Sequence, residues 1–395
     1  MSSRAALLGS LGFLSFAAVY NNIVVSPVLV DIARDLGVTV GTAGLLVTAY
    51  GIPGIVVGIL AGPLSDRYGR RPFLVGGTAL MSVLTVLGAV VPSFAHLLLT
   101  RVGAGVGASL LYPNINATIA DEFPYQQRGR AMGTVITMNQ LATIVGVPIA
   151  GLIAGLSSWR LSFVLVGALG LLAAFVVSRS AHSPPTARAS DVGTRELFTT
   201  LFADTSVRGA IMSSLLGSIF WFTWITYIVA FFVERYELAT AVASLIVLVT
   251  GVGIVGGSQA GGRVGDRFGH RIVVGWTILF SGTLVLLETV FVHDLTIAVL
   301  VALGIAVLAG ARFATNTTLL SELAPSARGT LFAVNSAIVS MGIVSGTAVG
   351  GILVDGYGYE ALGVMSAVAG LASAVIVWLF VTERTAEIAA GEGID

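Results

Sequence analysis

The sequence contains no cysteine, no lysine and only four histidines. The absence of cysteine excludes disulfides and thiolate chemistry. The absence of lysine excludes a Gly-x-x-x-x-Gly-Lys-Ser/Thr phosphate loop, so direct coupling to ATP hydrolysis is not expected. Charged residues make up 10% of the chain, whereas a soluble domain carries about 25%. The formal net charge is zero, so no nucleic-acid partner is expected.

The chain is rich in apolar residues instead. Of its 395 residues, 56% are hydrophobic, and the mean hydropathy is +0.96. A fold of this length could not hide so much apolar surface from water, so lipid must be the solvent for much of it. The apolar runs are continuous, not alternating, which excludes a barrel. We predict an all-α membrane protein with twelve transmembrane helices, at residues 5–30, 40–61, 73–93, 96–118, 131–155, 160–179, 208–232, 239–261, 272–292, 295–318, 329–353 and 359–381.

The first apolar run is too long for a signal-peptide core, so it is interpreted as a retained first helix. The widest polar gap, 180–207, lies at the midpoint and joins six helices to six. This spacing predicts an N-terminal six-helix bundle at 1–180, a linker at 181–207, a C-terminal six-helix bundle at 208–384 and a short tail at 385–395.

Arginine placement predicts the orientation. With Met1 inside, fifteen arginines fall on the inner side and only Arg34, Arg160 and Arg235 on the outer side. Positive residues favour the cytoplasmic side of a membrane. We therefore predict a multi-pass protein of the cell membrane, with both termini and the linker in the cytoplasm.

A charged stretch between the second and third apolar runs recurs 200 residues later in the chain. The first copy reads Gly62-Pro-Leu-Ser-Asp-Arg-Tyr-Gly-Arg-Arg-Pro72, and the second reads Gly262-Arg-Val-Gly-Asp-Arg-Phe-Gly-His-Arg271. Arg128-Gly129 and Arg328-Gly329 keep the same offset. Two motifs at one spacing indicate a duplicated half.

Twelve helices in two matching halves with this repeated loop resemble the major facilitator superfamily. Three further stretches are similar to its twelve-helix drug:proton antiporter branch: Arg101-Val-Gly-Ala-Gly-Val-Gly107, Gly146-Val-Pro-Ile-Ala-Gly151 and Trp159-Arg160. The resemblance implies two pseudo-symmetric six-helix bundles and secondary active transport of a small organic solute by alternating access. It further implies proton-coupled efflux of a drug-like or sugar-like compound, in the manner of a multidrug antiporter. The sequence departs from the pattern at Val147, where the family has glycine, and at His270, which replaces the Arg70 of the first loop.

The resemblance also implies that the charged loops form a cytoplasmic gate, which latches the two halves together. A carboxylate there can cap a helix N-terminus and pair with a guanidinium. The alternative is that these loops only set the topology. The gate residues would be Gly62, Asp66, Arg67, Gly69, Arg70, Arg71, Asp121, Arg128, Asp266, Arg267, Arg271, Glu322 and Arg328.

Arg101 and Arg312 are the only strongly embedded charges in the predicted helices. Arg101 matches the fourth-helix arginine that the resemblance implicates in proton coupling, or it is a hydrogen-bonded structural residue. Arg312 binds backbone carbonyls, extends toward the cytoplasm or neutralises an anionic substrate. No carboxylate lies in the middle third of any predicted helix, although Asp31 or Glu288 could carry a proton. The coupling candidates are therefore Arg101 and Asp31.

By the resemblance, the first, fourth, seventh and tenth helices line a central path. Trp221, Trp224 and Tyr227 are spaced three apart, hence broadly on one face of the seventh helix. For each amide, helix packing is an equally good reading, and the tryptophans could instead face lipid. The substrate-binding candidates are Asn21, Asn22, Tyr112, Asn116, Asn139, Gln140, Trp221, Trp224, Tyr227, Arg312, Asn316 and Asn335.

Three other functions are alternatives to solute export: an intramembrane enzyme, an anion exchanger and a non-transporting sensor. An intramembrane enzyme would need an embedded nucleophile and base, a metal cluster or two carboxylates. The histidines, at 96, 182, 270 and 293, all lie near predicted loops, so we expect no enzyme, no metal site and no cofactor.

Uptake or exchange of a small organic anion, with Arg101 and Arg312 as countercharges, is an alternative, and so is a non-transporting membrane sensor. The expected partners are membrane lipid, a small-molecule substrate and possibly a proton, and the chain is expected to be a monomer, since each chain holds both halves of the path.

Overall fold

A computed structural model describes residues 3–180, 202–323 and 328–382. The predicted tail lies outside these residues, as does the predicted linker up to residue 201. The surroundings of Gly62 and the side chains of Asp66 and Arg328 are also not described. The described residues form fourteen α-helices: α1 (Ser3–Ile23), α2 (Leu29–Leu36), α3 (Val40–Tyr68), α4 (Arg70–Gly88), α5 (Phe94–Ser109), α6 (Leu111–Glu122), α7 (Tyr125–Leu156), α8 (Trp159–Ser180), α9 (Thr205–Arg235), α10 (Thr240–Phe268), α11 (His270–Val290), α12 (Leu295–Leu323), α13 (Arg328–Tyr357) and α14 (Tyr359–Phe380).

Twelve helical stretches are long and apolar enough to cross a membrane, which confirms the predicted all-α membrane fold. Large apolar side chains also lie on the surface of these helices. Leu156 is 83% exposed and Leu379 is 70% exposed. Lipid tails can cover such side chains, and helices satisfy their own backbone hydrogen bonds in hydrocarbon.

Prolines interrupt two of the predicted helices. A 3₁₀ turn at Ser26–Val28 separates α1 from α2, and Pro27 there has no N–H for a helical hydrogen bond. Pro113, in the first turn of α6, likewise cannot donate to the carbonyl four residues earlier. The predicted fourth span is therefore divided at Leu110 into α5 and α6.

The repeated charged stretch is mostly helical, although the sequence pattern suggested a loop. In both halves the preceding helix continues to the residue before a single glycine, and the next helix begins directly after it. Gly69 has φ 85° and Gly269 has φ 92°. Only glycine adopts such angles without strain, so the two glycines make the reversal possible in one residue.

The residues group into two compact units. The first consists of Met1–Ser190 with Ile225–Leu248, and the second of Asp191–Trp224 with Val249–Asp395. The C-terminal part of α9 and the first part of α10 thus belong to the first unit. In that unit, the Ser26 hydroxyl donates to the carbonyls of Ile225 and Thr226, at 2.8 and 2.9 Å.

Glycines allow close helix contacts in each unit. In the first, a Cβ on Gly105 of α5 would collide with the Tyr50 carbonyl oxygen of α3. In the second, a Cβ on Gly310 of α12 would collide with the Ile254 carbonyl oxygen of α10. Small residues at such points let membrane helices approach each other closely. The same type of contact therefore recurs in both units.

Candidate functional site

Arg101 is the centre of a buried polar network in the first unit. Its side chain is 1% exposed. One guanidinium nitrogen donates to Asn21 Oδ1 at 3.0 Å and the other to the Asn21 carbonyl at 3.1 Å. The guanidinium carbon lies 4.2 Å from the ring centroid of Tyr50. Asn21 in turn donates to Thr85 Oγ1 at 2.7 Å.

Neutral groups thus hold this cation. The described residues contain no ion pair that involves Arg101. A buried charge is costly unless hydrogen bonds or a partner compensate it, and a ring face adds a cation–π attraction. The network joins α1, α3, α4 and α5, so Arg101 has the contacts expected of a residue that orders the bundle.

The other polar candidates of the first unit are less tightly held. Asn22 contributes only its carbonyl to Arg101, at 3.5 Å. Asn139 on α7 accepts a short hydrogen bond from the Ser15 hydroxyl on α1. Tyr112 and Asn116 on α6 and Gln140 on α7 are exposed on the surface of the unit. Asn116 and Gln140 are available to a substrate or to lipid, whereas Asn139 already has a partner and Tyr112 hydrogen-bonds to the Ser15 side chain.

Two candidates involve Ile225–Leu248, the segment that the first unit takes from the second half of the chain: Tyr227 lies in it, and Asp31 contacts it. Tyr227 is buried, and a Cβ on Gly44 of α3 would collide with its hydroxyl. Tyr227 therefore groups with α3 and not with the aromatic cluster described below. Asp31 on α2 is partly buried and interacts with the Thr240 side chain and with Arg34. Its second carboxylate oxygen has no hydrogen-bond partner.

The second unit contains an aromatic cluster, formed by Trp221, Trp224 and Phe313. The Trp221 ring lies 5.4 Å from the Trp224 ring and meets Phe313 edge-on at 5.4 Å, both between centroids. Trp224 is 3% exposed, and its indole N–H donates to Glu288 Oε2 at 3.1 Å. This hydrogen bond joins α9 to α11. Aromatic faces and one polar handle are features of sites for small organic molecules.

Arg312 lies in the same unit and is 3% exposed. It donates to the Gly217 carbonyl at 3.2 Å, and a Cβ on Gly217 would collide with its guanidinium. Its Nε has no hydrogen-bond partner. Of the three roles that the sequence left open, binding to a backbone carbonyl is the one with a contact.

The remaining candidate amides of the second unit differ in their partners. Asn316, one turn from Arg312, donates to Ser214 Oγ at 3.2 Å. Asn335 on α13 is half-buried, and its side-chain oxygen is without a hydrogen-bond partner. Asn316 therefore links α12 to α9, whereas Asn335 keeps an unused acceptor.

The predicted gate residues of the first unit form a cluster around Arg70. The Arg70 side chain is buried, donates to Ser65 Oγ at 2.6 Å and lies 3.4 Å from Asp121 Oδ2. Arg71 donates to the Ser178 carbonyl at 2.7 Å, and Arg67 is exposed. Arg128 donates to the carbonyls of Phe123 and Ala120. All of these contacts lie within the first unit.

The second unit carries a matching cluster around His270. Its Nε2 lies 3.5 Å from Asp266 Oδ1 and 3.7 Å from Glu322 Oε1. Arg271 donates to the carbonyls of Val377 and Trp378, as Arg71 does to Ser178. Arg267 is exposed, like Arg67.

The contact that sequence reasoning missed is the one between Glu288 and Trp224. Both residues drew attention in the sequence, one as a distant proton candidate and the other as an aromatic candidate. Phe313 and Gly217 carried no signal beyond the general apolar pattern. Pairing between helices far apart in sequence leaves no local pattern, so only the structure places these side chains together. The described residues contain no group of three or more residues that could hold a metal ion.

The chain has detectable relatives along most of its length. A sequence model of the Major Facilitator Superfamily matches residues 11–261 and 240–393. The chain is 29% identical to the uncharacterized MFS-type transporter YceJ of Bacillus subtilis (strain 168), covering 83% of this chain and 84% of that protein. It is 28% identical to the quinolone resistance protein NorA of Staphylococcus aureus (strain COL), covering 89% of this chain and 91% of that protein.

Solved structures share the fold. A bacterial homologue of the human lysosomal transporter Spinster, in an inward-facing and occupied conformation, matches with a TM-score of 0.77 and 20% identity, covering 96% of this chain and 95% of that one. The nucleoside transporter NupG matches with a TM-score of 0.78 and 13% identity, covering 95% of this chain and 100% of that one. At such identities the likeness concerns the fold alone.

Proposed function

This chain belongs to the Major Facilitator Superfamily, and we propose that, as a transporter of this family, it exports a small organic solute in exchange for protons. The likeness to NorA, whose name states quinolone resistance, supports export of a drug-like compound. A sugar-like solute is the other neutral class in this proposal. The protein would act as a monomer in the plasma membrane, with both termini in the cytoplasm.

The observation that carries the proposal is the aromatic cluster of Trp221, Trp224 and Phe313 on α9 and α12. Aromatic pairs offer flat apolar faces to an organic ring, and the Trp224 indole N–H is held by an acid. A site of apolar walls with few polar groups favours a neutral or weakly charged organic molecule. Tyr112, Asn116 and Gln140 of the first unit stay separate candidates for substrate contact.

Transport would proceed by rocking of the two bundles around a site at mid-membrane. The Arg70 and His270 clusters would form the cytoplasmic gate, opening and closing as the bundles move. The acids Asp66 and Asp266 stand at equivalent positions of the two halves, which topology alone does not require, because topology needs only the arginines.

Exchange of a small organic anion is the second candidate function. One observation favours it: the buried Arg312 guanidinium has an Nε without a hydrogen-bond partner. A carboxylate could accept from it in a bidentate manner. Arg101 is a weaker countercharge, since Asn21 and Tyr50 already surround it.

Transport in proteoliposomes that enclose a pH-sensitive dye tests the proposal. The vesicles are challenged with hydrophobic drugs, sugars and carboxylates, and Asp66→Asn is measured beside the wild type. Proton movement that depends on a drug or a sugar, and that is lost in Asp66→Asn, is the expected result. Carboxylate flux without a proton signal, abolished by Arg312→Gln, would replace this proposal with anion exchange.

A further inference from the structure

Glu288 is a fully buried acid that the proposed transport path does not yet use. It is 0% exposed and lies two residues before the end of α11. Its Oε2 accepts one hydrogen bond, from the Trp224 indole, and its Oε1 has no hydrogen-bond partner. An isolated buried carboxylate is costly, and a single hydrogen bond compensates only part of that cost. Such a group is a candidate for reversible proton binding.

Among the residues that the structure describes, no cation pairs with this acid. The charged residues on the helices around it are Arg208, Glu234 and Arg235 on α9, Arg312 and Glu322 on α12, and Glu360 on α14. Among the described residues, no ion pair joins any of them to Glu288. Arg312 donates instead to Gly217, which is seven residues from Trp224 along α9 and hence about 10 Å away along the helix axis. The nearby Thr289 hydroxyl donates to the Val285 carbonyl.

The position of Glu288, near the end of α11 that is predicted to face outward, suits proton-driven export. It lies two residues from the end of α11 that is predicted to face outward, or about 3 Å along the axis. A proton that drives export enters from outside. The acid therefore lies next to the proton source, while its hydrogen bond to Trp224 connects it to the aromatic cluster.

We propose that Glu288 binds and releases the proton that is exchanged for the substrate, and that Trp224 relays its protonation to the aromatic cluster. This inference rests on the proposed function. The ionised carboxylate takes one proton from the outer side, becomes the neutral acid, and releases that proton on the inner side after the bundles move. The ionised form holds the indole more strongly than the neutral acid, because charge-assisted hydrogen bonds are shorter and stronger. Proton binding thus loosens Trp224 and, through ring contact, Trp221.

The test uses the full-length protein in proteoliposomes and the variant Glu288→Gln. Glutamine keeps the size of the side chain and an oxygen that accepts from Trp224, but it cannot titrate. The matched control is Asp294→Asn, an exposed acid of the same half, whose side chain accepts from the Ile297 N–H at 3.0 Å. Asparagine is as good a cap as aspartate, so this control keeps its local structure.

The first readout needs no substrate. The infrared carbonyl band of a protonated carboxyl group is followed as a function of pH. We expect the wild type and Asp294→Asn to show a titrating buried carboxyl band that Glu288→Gln lacks and that Trp224→Phe shifts. An identical set of bands in the wild type and Glu288→Gln would overturn the inference.

The second readout is substrate accumulation into vesicles whose interior is more acidic by one pH unit. Such a gradient supports at most about a tenfold accumulation for one proton per substrate. We expect Glu288→Gln to lose accumulation while keeping substrate–substrate exchange, which needs no net proton movement, and Asp294→Asn to keep both. If Glu288→Gln accumulates substrate like the wild type, Glu288 is not the coupling site, although the proposed function stands. A wild type that carries substrate without regard to the pH gradient would contradict both.

Discussion

The two halves of the molecule make the same reversal with different chemistry. Gly69 and Gly269 adopt nearly the same φ, 85° and 92°, and each is followed at once by a buried basic side chain. In the first half that side chain is Arg70, which pairs with Asp121. In the second it is His270, which lies between two carboxylates. The backbone requirement is therefore the same in both halves, whereas the charge differs: arginine is always cationic, and histidine only when protonated.

This comparison teaches that a duplicated motif can keep its backbone geometry while the basic residue that follows the turn, and the partners of that residue, change. The following substitutions test how far the halves are equivalent.

The largest effect is expected at the close helix contacts that both units contain, at Gly105 and Gly310. Alanine at either position would drive a Cβ into a carbonyl oxygen of the neighbouring helix. We expect each variant to lose about 1–3 kcal/mol of unfolding free energy, the usual cost of overpacking. Thermal unfolding in detergent measures this. Gly76→Ala is the control, since a Cβ there meets nothing within 4 Å; equal stability of all three variants would refute the close-contact account.

Arg70→Gln and His270→Gln compare the two clusters directly. Arg70→Gln removes a charged hydrogen bond to Ser65 and the pairing with Asp121. We expect a loss of about 1–2 kcal/mol, reduced because the Asp121 side chain is 35% exposed. His270→Gln should cost less, because its distances to Asp266 and Glu322 are 3.5 and 3.7 Å and the Asp266 side chain is 75% exposed. Thermal unfolding of the two variants in parallel checks this, and an equal or larger loss for His270→Gln would contradict the comparison.

Arg71→Gln and Arg271→Gln should behave alike. Each arginine donates to carbonyls near the end of the last helix of its own half, Ser178 in one case and Val377 in the other. The net value of such hydrogen bonds is about 1 kcal/mol. Parallel thermal unfolding of the two variants should give losses that agree within experimental error. A large loss in only one of them would show that the two arginines have different roles.

The smallest effect on stability is expected for His270→Arg, which gives the second half the residue of the first. Arginine at this buried position can keep both pairings, and because the Asp266 and Glu322 side chains are 75% and 34% exposed, we expect a change of only about 0.5 kcal/mol. Thermal unfolding of the variant beside the wild type measures this. A loss larger than that of His270→Gln would show that the second half cannot accommodate the residue of the first.

Much of the fold could be predicted from the sequence, because lipid imposes long apolar helices and the offset of 200 residues exposes the duplication. Arg70 and Asp121 were both named as gate residues, but their pairing with each other was not predicted. The break at Leu110 was missed, although Pro113 carried the signal. The grouping of Ile225–Leu248 with the first unit could not be predicted, since helix packing leaves no periodic trace in a uniformly apolar segment.

The candidate site was harder to predict for the same reason. Trp221 and Trp224 were identified together, and they do contact each other, but Tyr227, three residues further, packs in the other unit. Helical spacing gives a face and does not give the neighbour of that face. Glu288 is an acid near a helix end in the sequence, and only its fully buried contact with Trp224 gives it a chemical role.

Reversal of the pH gradient tests the central claim most directly. Proteoliposomes containing the wild type are given a drug-like substrate, first with an acidic interior and then with an alkaline interior of the same magnitude. Proton-coupled exchange predicts that substrate accumulates inside acidic vesicles and is driven out of alkaline ones. Equal substrate distribution under both gradients would contradict it.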